Sequence, residues 1–121
     1  MLLERLEAVL NRNVAESRRA QALARQLDGR VMSLTVEGTP LAFYFRAEGG
    51  RLSLASSHEA PADASLSGTP IALLALAGPG AEGALRGGGV RIEGNAEVAQ
   101  KFRDLLAESK PDFEEELARV L

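Results

Sequence analysis

Two stretches decide the fold: ASLSGTPIALLALAG at residues 64–78 and LRGGGVRIEGNAEVAQKFRDLL at residues 85–106. The first alternates small and apolar residues and becomes apolar throughout after Thr69 and its following proline. Threonine caps helices and proline suits the first helical position, so the pattern predicts a strand over 63–67 and a helix over 71–77. Because that helix has no polar residue, we expect the rest of the protein to enclose it.

The second stretch predicts a strand followed by a long helix. Three glycines lead into an alternating segment over 90–93, with Val90 and Ile92 facing inward. Asn95 follows a glycine turn and is a suitable cap for a helix over 96–109. The apolar face of that helix carries Val98, Phe102, Leu105 and Leu106.

The chain before these stretches begins with an amphipathic segment. Leucines recur at helical spacing from position 3 to position 27, which predicts a helix over 2–26 within an N-terminal unit of residues 1–28. Asn11 and Asn13 are weak helix formers, so a break near them is compatible with the pattern. Asp28 and the glycine after it end the helix.

Three strands joined by hairpin turns come next. Apolar residues alternate with polar or small ones over 31–37, 41–46 and 51–55, and glycine-containing turns separate the three segments. With the two strands above, the order of elements predicts a single α+β domain over residues 1–121, in which helices pack on a five-stranded sheet. No internal repeat or linker divides it.

Composition excludes several functional classes. The 121 residues include no cysteine and one histidine, so thiol chemistry, disulfides and multi-histidine metal sites are excluded. A net charge of −3 does not favour binding of nucleic acid. No apolar run reaches the roughly 18 residues of a membrane span, and the acidic N-terminal segment does not resemble a signal peptide. We therefore expect a cytoplasmic protein.

The candidate chemical motifs favour no catalytic site. His58 lies among Ser56, Ser57 and Glu59, but adjacent side chains in an extended loop point apart, so we interpret it as a loop histidine. The glycines at 87–89 lack a Walker lysine and enter a strand rather than a helix, unlike a phosphate loop. No spaced set of acidic ligands predicts calcium. We expect no catalytic residue, no metal and no cofactor.

The C-terminal segment predicts a last helix over residues 111–121. Proline 111 breaks the preceding helix, and Asp112 with Glu115 forms a capping box. Phe113 and Leu117 lie on its apolar stripe, where they are candidates for a lid or a dimer contact. The pattern is still helical at the final residue, which is typical of a chain cut before a further tail.

The aliphatic residues of the predicted elements allow two interpretations. A filled core is the ordinary one. The alternative is a cavity between the helices and the sheet, walled by aliphatic groups, which suits a long hydrocarbon. Composition does not decide between them.

The two opening stretches resemble the sterol carrier protein type 2 (SCP2) family. The order of a short strand, an apolar helix, a glycine stretch, a V-x-I-x-G-N strand and a long helix is that of the family, and the resemblance extends over about residues 29–106. It implies the SCP2-like fold, in which the helices on the sheet enclose an apolar cavity.

Within that family, the chain is similar to the UbiJ group of bacterial ubiquinone-biosynthesis accessory factors. The similarity runs from the N-terminal LEAVLNR segment through RQLDG at residues 25–29, and it includes the pieces GTPIALLALAG and VRIEGNAEVAQ and the closing KPDFEEELA. It implies a non-catalytic accessory factor that holds the polyprenyl tail of ubiquinone precursors for other biosynthetic enzymes. It also implies a UbiK-like partner, met through a coiled-coil tail that this sequence does not contain.

The resemblance and the apolar pattern together predict the residues that line the lipid site. The alternatives are a generic fatty-acyl or sterol carrier and a protein-binding scaffold with a filled core. The expected wall residues are Phe43, Phe45, Leu52, Leu54, Leu66, Ile71, Leu74, Val90, Ile92, Val98, Phe102, Leu105 and Leu106.

Overall fold

The computed structural model describes residues 2–57, 60–76, 83 and 86–109. Its helices and strands confirm the predicted α+β class and lie within about two residues of the predicted bounds, apart from the N-terminal segment. In chain order the elements are α1 (Leu2–Ala15), α2 (Arg18–Gln26), β1 (Val31–Val36), β2 (Ala42–Glu48), β3 (Arg51–Ala55), β4 (Ala64–Gly68), α3 (Pro70–Leu76), β5 (Val90–Gly94) and α4 (Ala96–Ser109). His58, Phe113 and Leu117 lie outside the described residues.

The N-terminal segment is two helices rather than one. The break lies at Ser17, which has an extended backbone with φ of −125°. The Ser17 hydroxyl accepts a hydrogen bond from the backbone N–H of Ala20 at 3.1 Å and so caps α2. A serine that bonds the local backbone in this way competes with helix continuation, which is why the break lies here.

Asn11 and Asn13 themselves remain helical, and the break that the sequence allowed near them lies a few residues later, between Ala15 and Arg18. Their side-chain amides bond other elements instead of the local backbone. Asn11 bonds Leu52 in β3, and the Asn13 Nδ2 donates to the carbonyl of Ser109 at the end of α4, at 2.9 Å. Tertiary partners thus offset the low helix propensity of both residues.

The five strands form one sheet in the order β3-β2-β1-β4-β5. The antiparallel meander of β1, β2 and β3 is as predicted. The sequence did not indicate that β4 lies parallel to β1, so that Met32 has Phe45 on one side and Ala64 on the other. The last strand, β5, is antiparallel to β4 and forms an edge of the sheet.

The two faces of the sheet differ in chemistry. One face is polar: Ser33 Oγ donates to Ser65 Oγ at 2.7 Å, and their cross-strand neighbours are Tyr44 and Glu93. The other face is apolar, because strand residues alternate between faces. Its members include Met32, Leu34, Phe43, Phe45, Leu52, Leu54, Ala64 and Leu66.

Helices cover part of the apolar face. α1 lies along β3, and α4 contacts β1, β4, β5 and both N-terminal helices. The largest buried side chains at their junction include Leu27, Met32, Leu52, Phe102 and Leu105. Each such burial contributes about 1.5–3 kcal/mol, so this cluster stabilises the domain.

α4 crosses the sheet rather than following one strand. It begins beside the end of β5, where Asn95 Oδ1 accepts the N–H of Val98 at 3.1 Å, the cap that the sequence predicts. It ends against the two N-terminal helices, where the Asn13 side chain donates to the Ser109 carbonyl and Arg19 pairs with Glu108 at 3.3 Å. The crossing covers the end of the sheet from which β1 and β4 start.

α3 is not enclosed, contrary to the prediction. Thr69 caps it as expected, accepting the N–H of Ala72 at 3.2 Å. However, Ile71 is 81% exposed. The helix follows directly from the end of β4 and packs on that strand, and Ala72 and Leu73 of its first turn lie against the core while Ile71 stays exposed.

Ile92 is a second correction to the predicted inward positions. Val90 is buried, but Ile92 is 44% exposed. The reason is its place on β5, which pairs with β4 on one side and with no described strand on the other, and every residue from position 91 to 94 is exposed.

Candidate functional site

Two neighbouring rows of the apolar sheet face differ in how completely they are covered. The first row crosses four strands through Leu54, Phe45, Met32 and Ala64, and all four residues are buried. The second row lies one pleat closer to α3. Its members, by cross-strand register, are Phe43, Leu34, Leu66 and Ile92.

Only Leu66 of the second row is buried. Leu34 and Phe43 are half-buried, and Ile92 is exposed. Leu41 lies two residues before Phe43, at the next position on the same face of the sheet, and is 52% exposed. Among the described residues, the apolar face is therefore closed beneath α4 and open toward the end where β1 and β4 finish.

Half-buried apolar side chains from three helices also pack at the margin of the core. They are Leu3 and Leu6 from α1, Leu73 from α3 and Leu106 from α4. With Leu34 and Phe43 of the sheet, we call these six residues the open end. All six are apolar and half-buried at the margin of the core, as are Leu23 of α2 and Ala72 of α3.

The predicted wall residues divide among three environments. Phe43 and Leu106 belong to the open end, whereas Ile71 and Ile92 are exposed beside it. The side chain of Leu74 lies outside the described residues. Eight others belong to the packed core: Phe45, Leu52, Leu54, Leu66, Val90, Val98, Phe102 and Leu105. Their role as lipid-lining residues stays a prediction.

Sequence reasoning missed four members of the open end. Leu34 and Leu73 were visible as apolar positions of a strand and a helix, and Leu3 and Leu6 as part of the N-terminal stripe. What the sequence lacked was the parallel pairing of β1 with β4. That pairing places Leu34 opposite Leu66 and turns α3 toward the same end of the sheet.

The carboxyl groups with shifted pKa lie at the other end of the sheet. A hydrogen bond from the N–H of Val31 to Asp63 Oδ2 at 2.8 Å is the main reason that the pKa of Asp63 is lowered, and Arg30 at 3.2 Å adds to it. The Lys101 ammonium lowers the pKa of Glu97 on exposed surface. Both groups serve local structure.

A polar hollow of about 450 Å³ lies beside the β2–β3 turn. Gln21, Arg25 and Asp28 line it with the two glycines of the turn, and Asp28 Oδ1 accepts the N–H of Gly49 at 2.9 Å. This arrangement fixes the turn against α2. Among the described residues, no group of three or more histidine, cysteine or acidic side chains is placed to hold a metal.

Comparison with known proteins identifies the family. The profile of the SCP-2 sterol transfer family matches residues 6–107. The chain belongs to this family. The SCP-2 resemblance and the fold class predicted from the sequence are thus confirmed.

Solved structures share the SCP-2 fold with this chain. One, described as "UbiJ-SCP2 Ubiquinone synthesis protein", has a TM-score of 0.74 at 20% identity, and the match covers 90% of this chain and 91% of that one. Sterol carrier protein 2 from Yarrowia lipolytica, in its apo form, has a TM-score of 0.61 at 12% identity, with coverage of 87% and 89%.

A third structure carries the fold within a larger enzyme. The inverting sec-alkylsulfatase Pisa1 from Pseudomonas sp. has a TM-score of 0.59 at 19% identity, and the match covers 70% of this chain but 14% of the enzyme. No curated protein sequence matches the chain. Among the described helices, none combines the length and apolar character that a membrane crossing requires.

Proposed function

We propose that this SCP-2 domain is a non-catalytic lipid-binding accessory factor of ubiquinone biosynthesis, which holds the polyprenyl tail of hydrophobic precursors for the biosynthetic enzymes. The observation that carries the proposal is the open end, where apolar side chains of the sheet and three helices remain half-covered. Membership of a sterol transfer family and the likeness to a UbiJ-SCP2 ubiquinone synthesis protein support it.

The chemistry of the open end suits a hydrocarbon chain. A polyprenyl tail offers no hydrogen-bonding group, and transferring it from water onto apolar walls contributes about 0.8 kcal/mol per CH₂. Leu34 and Phe43 would form the floor, Leu73 one side and Leu106 the base. The eight buried residues of the predicted wall support this floor from the core side.

The proposal assigns no reaction to the chain. We expect its work to be presentation of the lipid to other ubiquinone-biosynthesis proteins in the cytoplasm, including a UbiK-like partner. Phe113 and Leu117 remain candidates for a lid or a dimer contact. A His58→Ala variant should bind lipid as the wild type does. A strong loss of lipid binding at equal protein level would contradict the interpretation of His58 as a loop residue without a functional role.

A generic fatty-acyl or sterol carrier is the second candidate. The name of the family and the Yarrowia sterol carrier favour it, and an apolar surface alone does not select a prenyl tail. Competition separates the two: unlabelled prenyl lipid should displace a fluorescent prenyl analogue at lower concentration than palmitate or cholesterol does. Equal displacement by all three would favour the generic carrier.

The third candidate is a protein-binding scaffold with a filled core. The full burial of Phe102 and Leu105 agrees with a filled core beneath α4. The half-buried Phe43 and Leu106 favour a ligand surface at the open end. Native mass spectrometry of gently purified protein distinguishes these readings. Bound lipid supports a carrier, and an unliganded mass that stays unliganded after incubation with prenyl lipid supports the scaffold.

The deciding experiment pairs two substitutions on adjacent residues of β2. Phe43 faces the open end, whereas Tyr44 is half-buried on the polar face. Phe43→Ser should weaken binding of a fluorescent prenyl analogue about tenfold, because several buried CH₂ contacts are lost. Tyr44→Ser should leave affinity within about twofold of wild type. Equal losses, or no loss for Phe43→Ser, would contradict a lipid site at the open end.

A further inference from the structure

One edge of the sheet has backbone groups that no described residue satisfies. The N–H of Asn95 donates to the carbonyl of Asp63 at 2.9 Å, which sets the phase of the antiparallel β4–β5 ladder. Hydrogen-bonded and non-hydrogen-bonded pairs alternate in such a ladder. Residues 91 and 93 therefore bond β4, and Val90, Ile92 and Gly94 direct their N–H and C=O groups outward.

The opposite edge, β3, is already capped by side chains of α1. Asn11 bonds both the N–H and the C=O of Leu52, and Glu7 Oε2 accepts the N–H of Leu54 at 3.0 Å. These bonds occupy the groups that another strand would use. Among the described residues, β5 is the edge without such capping side chains and is therefore the one that can extend the sheet.

We propose that β5 pairs with β5 of a second copy of this chain, antiparallel and centred on Ile92. In that register Ile92 lies opposite Ile92 of the second copy, and Val90 lies opposite Gly94. The central Ile92 pair can form both ladder hydrogen bonds, whereas Gly94, with φ of +81°, leaves the extended conformation and limits the regular ladder to the centre of the register.

The charges on the polar face fit the same register. Arg91 lies opposite Glu93 of the second copy, and the two-fold symmetry repeats this pair. These are non-hydrogen-bonded positions, where Cα atoms approach to about 4.5 Å and side chains are closest. Both residues are exposed, and the present partner of Arg91 is Glu37 at 3.5 Å, an exposed contact that is easily exchanged.

Pairing at β5 would have two structural results. The 44% exposed Ile92 would contact its counterpart on the apolar face, so the row from Phe43 to Ile92 would continue into the second copy. Because Asn11 and Glu7 cap the outer edges, assembly would stop at two copies rather than grow into a fibre. The pairing itself does not rest on the proposed lipid function.

Charge reversal tests the interface without lipid. Sedimentation equilibrium of the wild type from micromolar to millimolar concentration should show a monomer–dimer equilibrium. Arg91→Glu and Glu93→Arg should each weaken it about tenfold or more, because like charges then lie opposite each other twice. Arg46→Glu makes the same charge change on an interior strand of the same face and should leave the dimer unchanged.

Mixing the two reversed variants is the sharper form of this test. Arg91→Glu carries two acids at 91 and 93, and Glu93→Arg carries two bases, so the heterodimer regains both opposite-charge pairs. The mixture should dimerise about as tightly as wild type, although neither variant does so alone. A wild type that stays monomeric at millimolar concentration would overturn the proposal, as would a dimer indifferent to both reversals.

The absence of native cysteine allows the register to be tested directly. Arg91→Cys mixed with Glu93→Cys should form a disulfide-linked heterodimer on mild oxidation, because the paired Cα atoms lie within bridging distance. Either variant alone should link much less, since identical residues are then offset by two positions along the strands. Equal linking in all three samples would exclude this register.

Discussion

The Asn11 side chain in α1 bonds both backbone groups of Leu52 in β3, as a neighbouring strand would. Its Nδ2 donates to the Leu52 carbonyl at 2.9 Å, and its Oδ1 accepts the Leu52 N–H at 2.7 Å. The helix thereby docks on the sheet by hydrogen bonds as well as by apolar contact. Because both groups are buried, the pair should contribute measurably to stability.

Asn11→Ala should lower the free energy of unfolding by about 1–3 kcal/mol, because it leaves two buried backbone groups without partners. Urea denaturation measures the loss. Amide exchange localises it: the Leu52 N–H should exchange faster, whereas the Leu54 N–H, held by Glu7, should change much less. Equal acceleration at both amides would indicate general loosening of α1 instead.

Gly94→Ala should destabilise the domain more than Gly38→Ala. Both glycines have φ of +81°, so alanine at either position carries about 1–2 kcal/mol of backbone strain. At Gly94 the added Cβ would also lie 2.7 Å from the carbonyl oxygen of Asp63, whereas at Gly38 it would meet nothing within 4 Å. Denaturation midpoints of the two variants give the comparison, and equal losses would show that the β4–β5 approach can relax.

Acidification should remove the stabilising effect of Asp63. Its pKa is lowered by the Val31 N–H and Arg30, so the folded state favours the carboxylate. The contribution, about 1 kcal/mol, is present above the ordinary value near 3.8 and is lost as the pH falls through the lower folded-state pKa. Asp63→Asn should therefore differ from wild type at neutral pH, and the difference should disappear as acidification protonates the Asp63 carboxylate.

The control for this pH dependence is Glu48→Gln. Glu48 pairs with Arg46 at 3.5 Å on exposed surface, and such pairs contribute little. Its unfolding free energy should stay within about 0.5 kcal/mol of wild type across the range. If the free energies of unfolding of Asp63→Asn and wild type still differ at low pH, the Asp63 carboxylate charge is not the cause of the difference.

Deleting residues 112–121 should speed the release of a bound prenyl analogue if the predicted last helix acts as a lid. Its stripe with Phe113 and Leu117 needs a surface to cover, because so short a helix is marginal alone. Stopped-flow dissociation from the full chain and the shortened chain measures the effect. Equal rates would exclude the lid, and loss of dimer without a change in rate would favour the contact role.

Local signals predicted most of the elements. Thr69 and Asn95 cap their helices as their sequence context indicates, because a cap is decided within a few residues. Ser17 shows the limit of this reasoning. Its capping hydrogen bond begins a new helix even though the helical spacing of apolar residues continues across this position. The asparagines that looked like breakers kept their helix through partners far away in the chain.

The site was less predictable than the fold. Phe43 and Leu106 could be named as apolar positions, but their half-covered state depends on where α4 crosses the sheet. The parallel β1–β4 pairing and the one-sided packing of α3 likewise depend on contacts between residues that are far apart in the sequence. An all-apolar segment predicts that burial is favourable, yet in this fold Ile71 remains in contact with solvent.

The bond between Asn13 and Ser109 joins residues 96 positions apart. During synthesis, the N-terminal helices and the first three strands emerge well before α4, which must cross them to complete the core. The part of the apolar sheet face that α4 covers therefore stays uncovered until nearly all of the chain to residue 109 has been made. Closure by such distant segments makes folding slow relative to a helical bundle of this size.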